Sequence, residues 1–125
     1  MTDETEVNSW AELVGPCYTA AGMADTLGWT EAEVVRAADS LLFLAVRTSD
    51  GVVLYPAFQL HGGRVVDGLH EVLRILRTGT AGRWTWVQFL NVAIPGEVRQ
   101  IENLYEGRLE DVLRDARHEA AAWRS

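Results

Sequence analysis

At 125 residues and a formal net charge of −7, the chain is long enough to bury one sizeable core without disulfides or metal. Its single cysteine, Cys17, excludes an internal disulfide and fits a reducing, cytoplasmic setting. No apolar run approaches the roughly 20 residues of a membrane helix. All eleven basic residues are arginine, and the charge is unevenly placed. Residues 1–40 hold eight acids and one arginine, Arg36, whereas residues 41–125 hold ten of each, so the whole net charge falls on the first 40 residues.

The opening "MTDETEVNSW" is acidic and polar, the reverse of a secretory signal. Residues 1–14 read as a mobile acidic arm. Cys17, between Pro16 and Tyr18, reads as a packing residue and not a nucleophile. Residues 18–27, "YTAAGMADTL", suit a short helix, with Ala20, Met23, Ala24 and Leu27 at helical spacing and Gly28 as its C-cap. Thr30 is a good N-cap, and Glu33 three residues on completes a capping box. The helix it opens, "EAEVVRAADSLL", places Val34, Val35, Ala38, Leu41 and Leu42 on its apolar side. Two short helices joined by Gly28-Trp29-Thr30 form a helix-turn-helix pattern.

"LFLAVRT" and "VVLYPAF" flank Asp50-Gly51, a strong hairpin signal. A hairpin directly after a helix-turn-helix is a wing. Pro56 belongs at a strand end or edge, because it cannot donate to a ladder. Tyr55, Pro56 and Phe58 then read as an inter-lobe hinge, with Gln59 to Gly63 as a free connector. Beyond Gly62-Gly63, helical periodicity runs through Val66, Leu69, Val72, Leu73 and Leu76, and again through Trp86, Val87, Leu90 and Ile94 up to Pro95-Gly96. Ile101, Leu104 and Tyr105 suggest a short helix closed by Gly107. Leu109, Val112, Leu113, Ala116, Ala120 and Trp123 mark the last helix, with Glu110 and Arg114 as an i,i+4 pair on its flank. The expected fold class is therefore mainly α with a short β-hairpin: a winged helix-turn-helix over 15–57 and an α-helical module over 58–125.

Chemistry-bearing patterns are sparse. Gly62-Gly63 lacks the further glycine and lysine of a phosphate loop. His61, His70 and His118 have no metal-ligand spacing, and the carboxylates near the last helix read as solvated, so neither metal, cofactor nor catalytic activity is expected. His70 and His118 fall on polar helix sides. Of the tryptophans, Trp29 and Trp86 read as core, one of the pair Trp84 and Trp86 is expected outside, and Trp123 is a candidate interface anchor. On the second helix of the helix-turn-helix the outward positions fall near Glu31, Glu33, Arg36, Ala37 and Ser40. Arg36, Ser40 and the wing residue Arg47 are the candidate DNA contacts, but the acidic field of this lobe opposes a phosphate backbone. A helix-turn-helix kept as scaffold or dimer surface is the favoured reading; sequence-specific DNA binding is the other.

"YPAFQLHGGRVVDGLHEVLRIL", "RWTWVQFLNVAIPG" and "LYEGRLEDVLRDARHEAAAW" together resemble the C-terminal, toxin-binding domain of Xre/MbcA/ParS-type antitoxins, over about residues 41 to 124. The winged N-terminal half, with "LLFLAVRTSDGVVLYP" after its second helix, is also similar to mycobacterial-type small DNA-binding proteins of related architecture. The first resemblance implies an antitoxin of a type II toxin-antitoxin system whose partner is a RES-domain toxin that consumes NAD. Many such antitoxins dimerise and repress their own operon. On this chain the toxin-facing positions it implies are Arg114, Arg117, His118 and Trp123. The alternative function is a stand-alone winged helix-turn-helix transcriptional regulator.

Overall fold

The computed structural model describes residues 11–125. Of the arm expected over 1–14, residues 1–10 lie outside the described residues. Residues 11–14 are helical, and Val14 is buried.

Strand β1 (Cys17–Tyr18) comes next, where the periodicity had placed the start of a helix. Tyr18 pairs opposite Tyr55, so the helix α1 (Ala20–Leu27) begins only after Thr19, whose hydroxyl accepts from the Gly22 N–H at 3.1 Å. Gly28 ends α1 in the left-handed conformation, φ 73°, as a C-cap glycine does. Helix α2 (Glu31–Asp39) opens on the expected capping box: Thr30 Oγ1 accepts from Glu33 N–H at 3.1 Å, and Glu33 Oε1 accepts from Thr30 N–H at 2.9 Å. It closes one turn earlier than the sequence suggests. Leu41 takes a left-handed φ of 60°, and Leu42 N–H reaches back to the Ala37 carbonyl at 2.9 Å. That reversal rotates the end of the apolar stripe. Val34, Ala37, Ala38 and Leu41 are buried, while Val35 and Leu42, expected inside, are exposed. Ala37, expected to face outward, is core instead.

Strands β2 (Val46–Arg47) and β3 (Val53–Pro56) make the expected hairpin around Asp50-Gly51. Gly51 N–H donates to the Thr48 carbonyl at 3.0 Å, and the φ of 85° at Gly51 supplies the left-handed residue this loop needs. Both neighbours of β3 run antiparallel to it, giving the sheet order β1-β3-β2. Pro56 is the last residue of β3, opposite Cys17, where a missing donor does least harm to the ladder. Helix-turn-helix, sheet and wing form a complete winged helix-turn-helix.

A 3₁₀ turn (Ala57–Gln59) leads into a second hairpin, β4 (Leu60–His61) and β5 (Arg64–Val65). This corrects the expectation of a free connector. Gly62 and Gly63, with φ of 65° and 78°, are its two-residue turn. Four helices follow: α3 (Leu69–Arg77), α4 (Arg83–Asn91), α5 (Gln100–Tyr105) and α6 (Leu109–Arg124). Helix α6 buries Val112, Leu113, Ala116 and Ala120 on the expected stripe. Its start lies close to α3: a Cβ on Gly68 would meet Leu109 Cδ1 at 2.5 Å. Beyond the end of α3, a Cβ on Gly79 would sit 2.6 Å from the backbone of Ala120. The pair expected between Glu110 and Arg114 is replaced by contacts of Arg114 with Asp111 at 3.3 Å and Asp115 at 3.8 Å.

One continuous cluster of buried side chains runs from Val14 through α1, α2 and the sheet to Leu113 and Ala116 of α6. Gln59 is its buried polar member. Its Oε1 accepts from the Leu44 N–H at 2.6 Å and its Nε2 donates to the Leu44 carbonyl at 2.8 Å. Tyr55 is 2 % exposed and meets Phe43 edge-on at 6.0 Å. Phe58 is half-buried, and its carbonyl accepts the Tyr105 hydroxyl of α5. Of the three residues read as a hinge, Tyr55 and Pro56 pair with β1 inside the winged half, and Phe58 is tied to the later helices through Tyr105.

Candidate functional site

Two exposed surfaces carry the candidate residues. The first is built by α2 and the wing. With Val34, Ala37 and Ala38 turned into the core, the remaining positions of α2 face outward: Glu31, Ala32, Glu33, Val35, Arg36, Asp39 and the cap Ser40. Arg36 and Ser40 lie in the last turn and at the end of this helix, and Arg47 is exposed on β2 at the base of the wing. All three candidate DNA contacts therefore belong to the outward surface of the winged unit.

The electrostatics of that surface are mixed. Glu33 is committed to the capping box; hydrogen bonds from the Thr30 backbone and hydroxyl hold its carboxyl below the usual glutamate range, with Arg36 adding a smaller pull. At the wing tip the Thr48 hydroxyl donates to Asp50 at 2.7 Å and holds that carboxyl low as well. Arg47 Nη1 donates to the Gly51 carbonyl across the hairpin at 3.4 Å, so its guanidinium lies along the wing. The wing is braced from behind: the Trp84 indole N–H of α4 donates to the Arg47 carbonyl at 3.0 Å. Trp84 is the less buried of the pair with Trp86, which is 1 % exposed. Trp29, expected in the core, is 39 % exposed and stacks on Phe43 at 5.9 Å.

The second surface is an open groove of about 510 Å³ between α4, the 92–98 loop and α6. Ile94 was expected on the apolar face of α4. The helix instead ends at Asn91, with Val92 extended, so Val92, Ile94 and Val98 lie in the loop and are exposed, Ile94 at 65 %. Of the four positions implied as toxin-facing, His118 and Trp123 line this groove and Arg114 and Arg117 do not. Arg114, one turn before His118, and Arg117 are exposed on α6 outside the groove.

Two further readings change. His70 is not simply solvated: its Nδ1 lies 2.9 Å from the Leu41 carbonyl, the left-handed residue that ends α2. His61 stacks on Tyr105, ring centres 4.5 Å apart and 10° from parallel. Cys17 is half-buried, and burial pushes its thiol up, as a packing role requires. Gln59 was missed as a structural residue, although its place directly after an aromatic-proline-aromatic run at a strand end was visible. The second hairpin had a plain signal too, Gly-Gly between Leu60-His61 and Arg64-Val65. Among the described residues no three His, Cys, Asp or Glu side chains converge to hold a metal ion, and no helix is long and apolar enough to cross a membrane.

No protein-family model matches the chain, and no curated protein matches it. Among solved structures, the NMR structure of Rv2175c is similar at a TM-score of 0.71 and 24 % sequence identity, covering 84 % of this chain and 81 % of that one. At that identity the likeness is one of fold.

Proposed function

We propose that this chain is a winged helix-turn-helix DNA-binding protein that uses α2 and the β2–β3 wing. The observation that supports the reading most is the completeness of the unit. The β2–β3 wing is held in one sheet with β1 in the order β1-β3-β2, and it follows directly on a capped α2 whose Arg36 and Ser40 are exposed. In this architecture the second helix enters the major groove and the wing follows the backbone. Arg36 and Arg47 supply the cations, and Ala32 and Val35 offer apolar surface of the kind that meets a thymine methyl.

The acids around Arg36 set the scale of the interaction. With two arginines on this face, each protomer neutralises about two phosphates, which gives a log–log salt slope of about −1.8. Fluorescence anisotropy of a labelled duplex from the region upstream of the chain's own coding sequence tests this. Arg36→Ala and Arg47→Ala should each reduce the slope by about 0.9. Undiminished binding with both arginines removed would rule out this surface as the reader.

A second reading, neutralisation of a RES-type toxin by the helical module, is favoured by one observation: His118 and Trp123 meet the exposed loop residues Val92, Ile94 and Val98 in the groove. It expects growth rescue on co-expression with such a toxin, lost in Ile94→Asp. Absence of rescue by the unaltered chain would reject it.

A further inference from the structure

The groove between α4 and α6 joins apolar anchors to an acidic rim, and that combination specifies an occupant. Val92, Ile94 and Val98 are 42 %, 65 % and 53 % exposed, on the one loop that joins α4 to α5. Large aliphatic side chains grouped at that exposure beside a half-buried tryptophan are the pattern of an interaction surface and not of scattered surface apolars. The charged residues lining the groove are Glu97, Asp115 and Glu119, with His118 among them and no arginine. Asp115 is already engaged, by Gln100 Nε2 at 2.9 Å and more loosely by Arg114 at 3.8 Å. Among the described residues no ion pair reaches Glu97 or Glu119.

We propose that this groove docks an amphipathic helix of a partner protein, with an aliphatic or aromatic anchor for Val92, Ile94 and Val98 and with arginine or lysine on its flanks for Glu97 and Glu119. The walls are two helices and a loop, so no strand edge is offered for β-augmentation, and helix-in-groove packing is the mode that fits. Charge selects the partner. A second copy docking groove to groove would set Glu97, Asp115 and Glu119 against the same three acids, and a phosphate backbone would meet these acids with no arginine among the lining residues. The surface shares residues with the toxin reading but does not need a toxin. Growth rescue and binding of a defined peptide are separate readouts, so either can fail alone.

The test uses the full chain with methyl-labelled Ile and Val and two synthetic helical probes of identical Leu-and-Trp face, one flanked by arginine and one by glutamate. The arginine-flanked probe should shift the Ile94, Val92 and Val98 methyl signals, with affinity that weakens as salt rises. Ile94→Asp, at a site too exposed to disturb folding, should lower that affinity about tenfold or more. Glu97→Arg combined with Glu119→Arg should reverse the preference towards the glutamate-flanked probe. Equal binding of the two probes overturns the proposal, as do shifts confined to residues outside the groove. Concentration-dependent broadening of the same methyls without any probe also overturns it, because the occupant would then be a second copy.

Discussion

The amide of Gln59 does in the core what a neighbouring strand would otherwise do. It meets both backbone groups of Leu44, at 2.6 and 2.8 Å, in a fully buried position. Replacing it by Leu keeps the volume and deletes both partners. An unpaired buried donor or acceptor costs about 1–3 kcal/mol, so with two groups orphaned Gln59→Leu should lose about 2–6 kcal/mol in urea denaturation. A loss below about 0.5 kcal/mol for Gln59→Leu would show that Leu44 finds other partners. The same scale explains Leu41. A left-handed non-glycine residue costs roughly 1–2 kcal/mol, and here the residue is buried at 2 % exposure with its carbonyl against His70. The strain buys the reversal that exposes Leu42 and lets the chain enter Phe43 and Leu44 as core.

At the scale of the element, the capping box of α2 makes a pH-dependent contribution. Glu33 has a lowered folded-state pKa, so its stabilisation is full above the ordinary glutamate value of about 4.3 and is lost as pH falls through the lowered value. Thermal melts between about pH 6 and pH 3 should show part of the acid destabilisation removed in Glu33→Gln, which keeps a reciprocal acceptor without a titrating proton. Identical pH profiles for the two proteins would contradict this role. Thr30→Ala should cost about 1 kcal/mol at neutral pH. This box, the Asp50-Gly51 wing and the stripe of α6 were legible in the sequence because each rests on contacts within a few residues. Strand β1 was not. Its two residues have no meaning until Tyr55 and Pro56 arrive opposite them, almost forty residues later. The exposure of Leu42 and Ile94 was illegible for a related reason: α2 ends at Asp39 and α4 at Asn91, short of the apolar pattern, and the loss of one turn moves an apolar side chain from core to solvent. The groove followed from that shift, so only its His118 and Trp123 wall was anticipated.

On the scale of the whole molecule, contacts between the chain up to Phe58 and the helices beyond it are distributed along the sequence. Asn91 Nδ2 donates to the Leu13 carbonyl at 2.7 Å, Trp84 to Arg47, Tyr105 to Phe58, and the buried cluster is shared. Such a core predicts one cooperative transition, with tryptophan fluorescence and far-ultraviolet circular dichroism giving coincident urea curves. Two separated transitions would mean that the halves fold independently. Helix α4 belongs to both surfaces: Trp84 braces the wing, and Thr85, Gln88 and Phe89 line the groove. On the proposed function, α2 and the wing are the face that meets DNA. Amide chemical-shift mapping on titration with an upstream duplex at low salt tests it most directly. Shifts concentrated in residues 31–40 and 47–52 are expected. A map that leaves these residues unmoved, or that centres on residues 92–98 and α6, would contradict it.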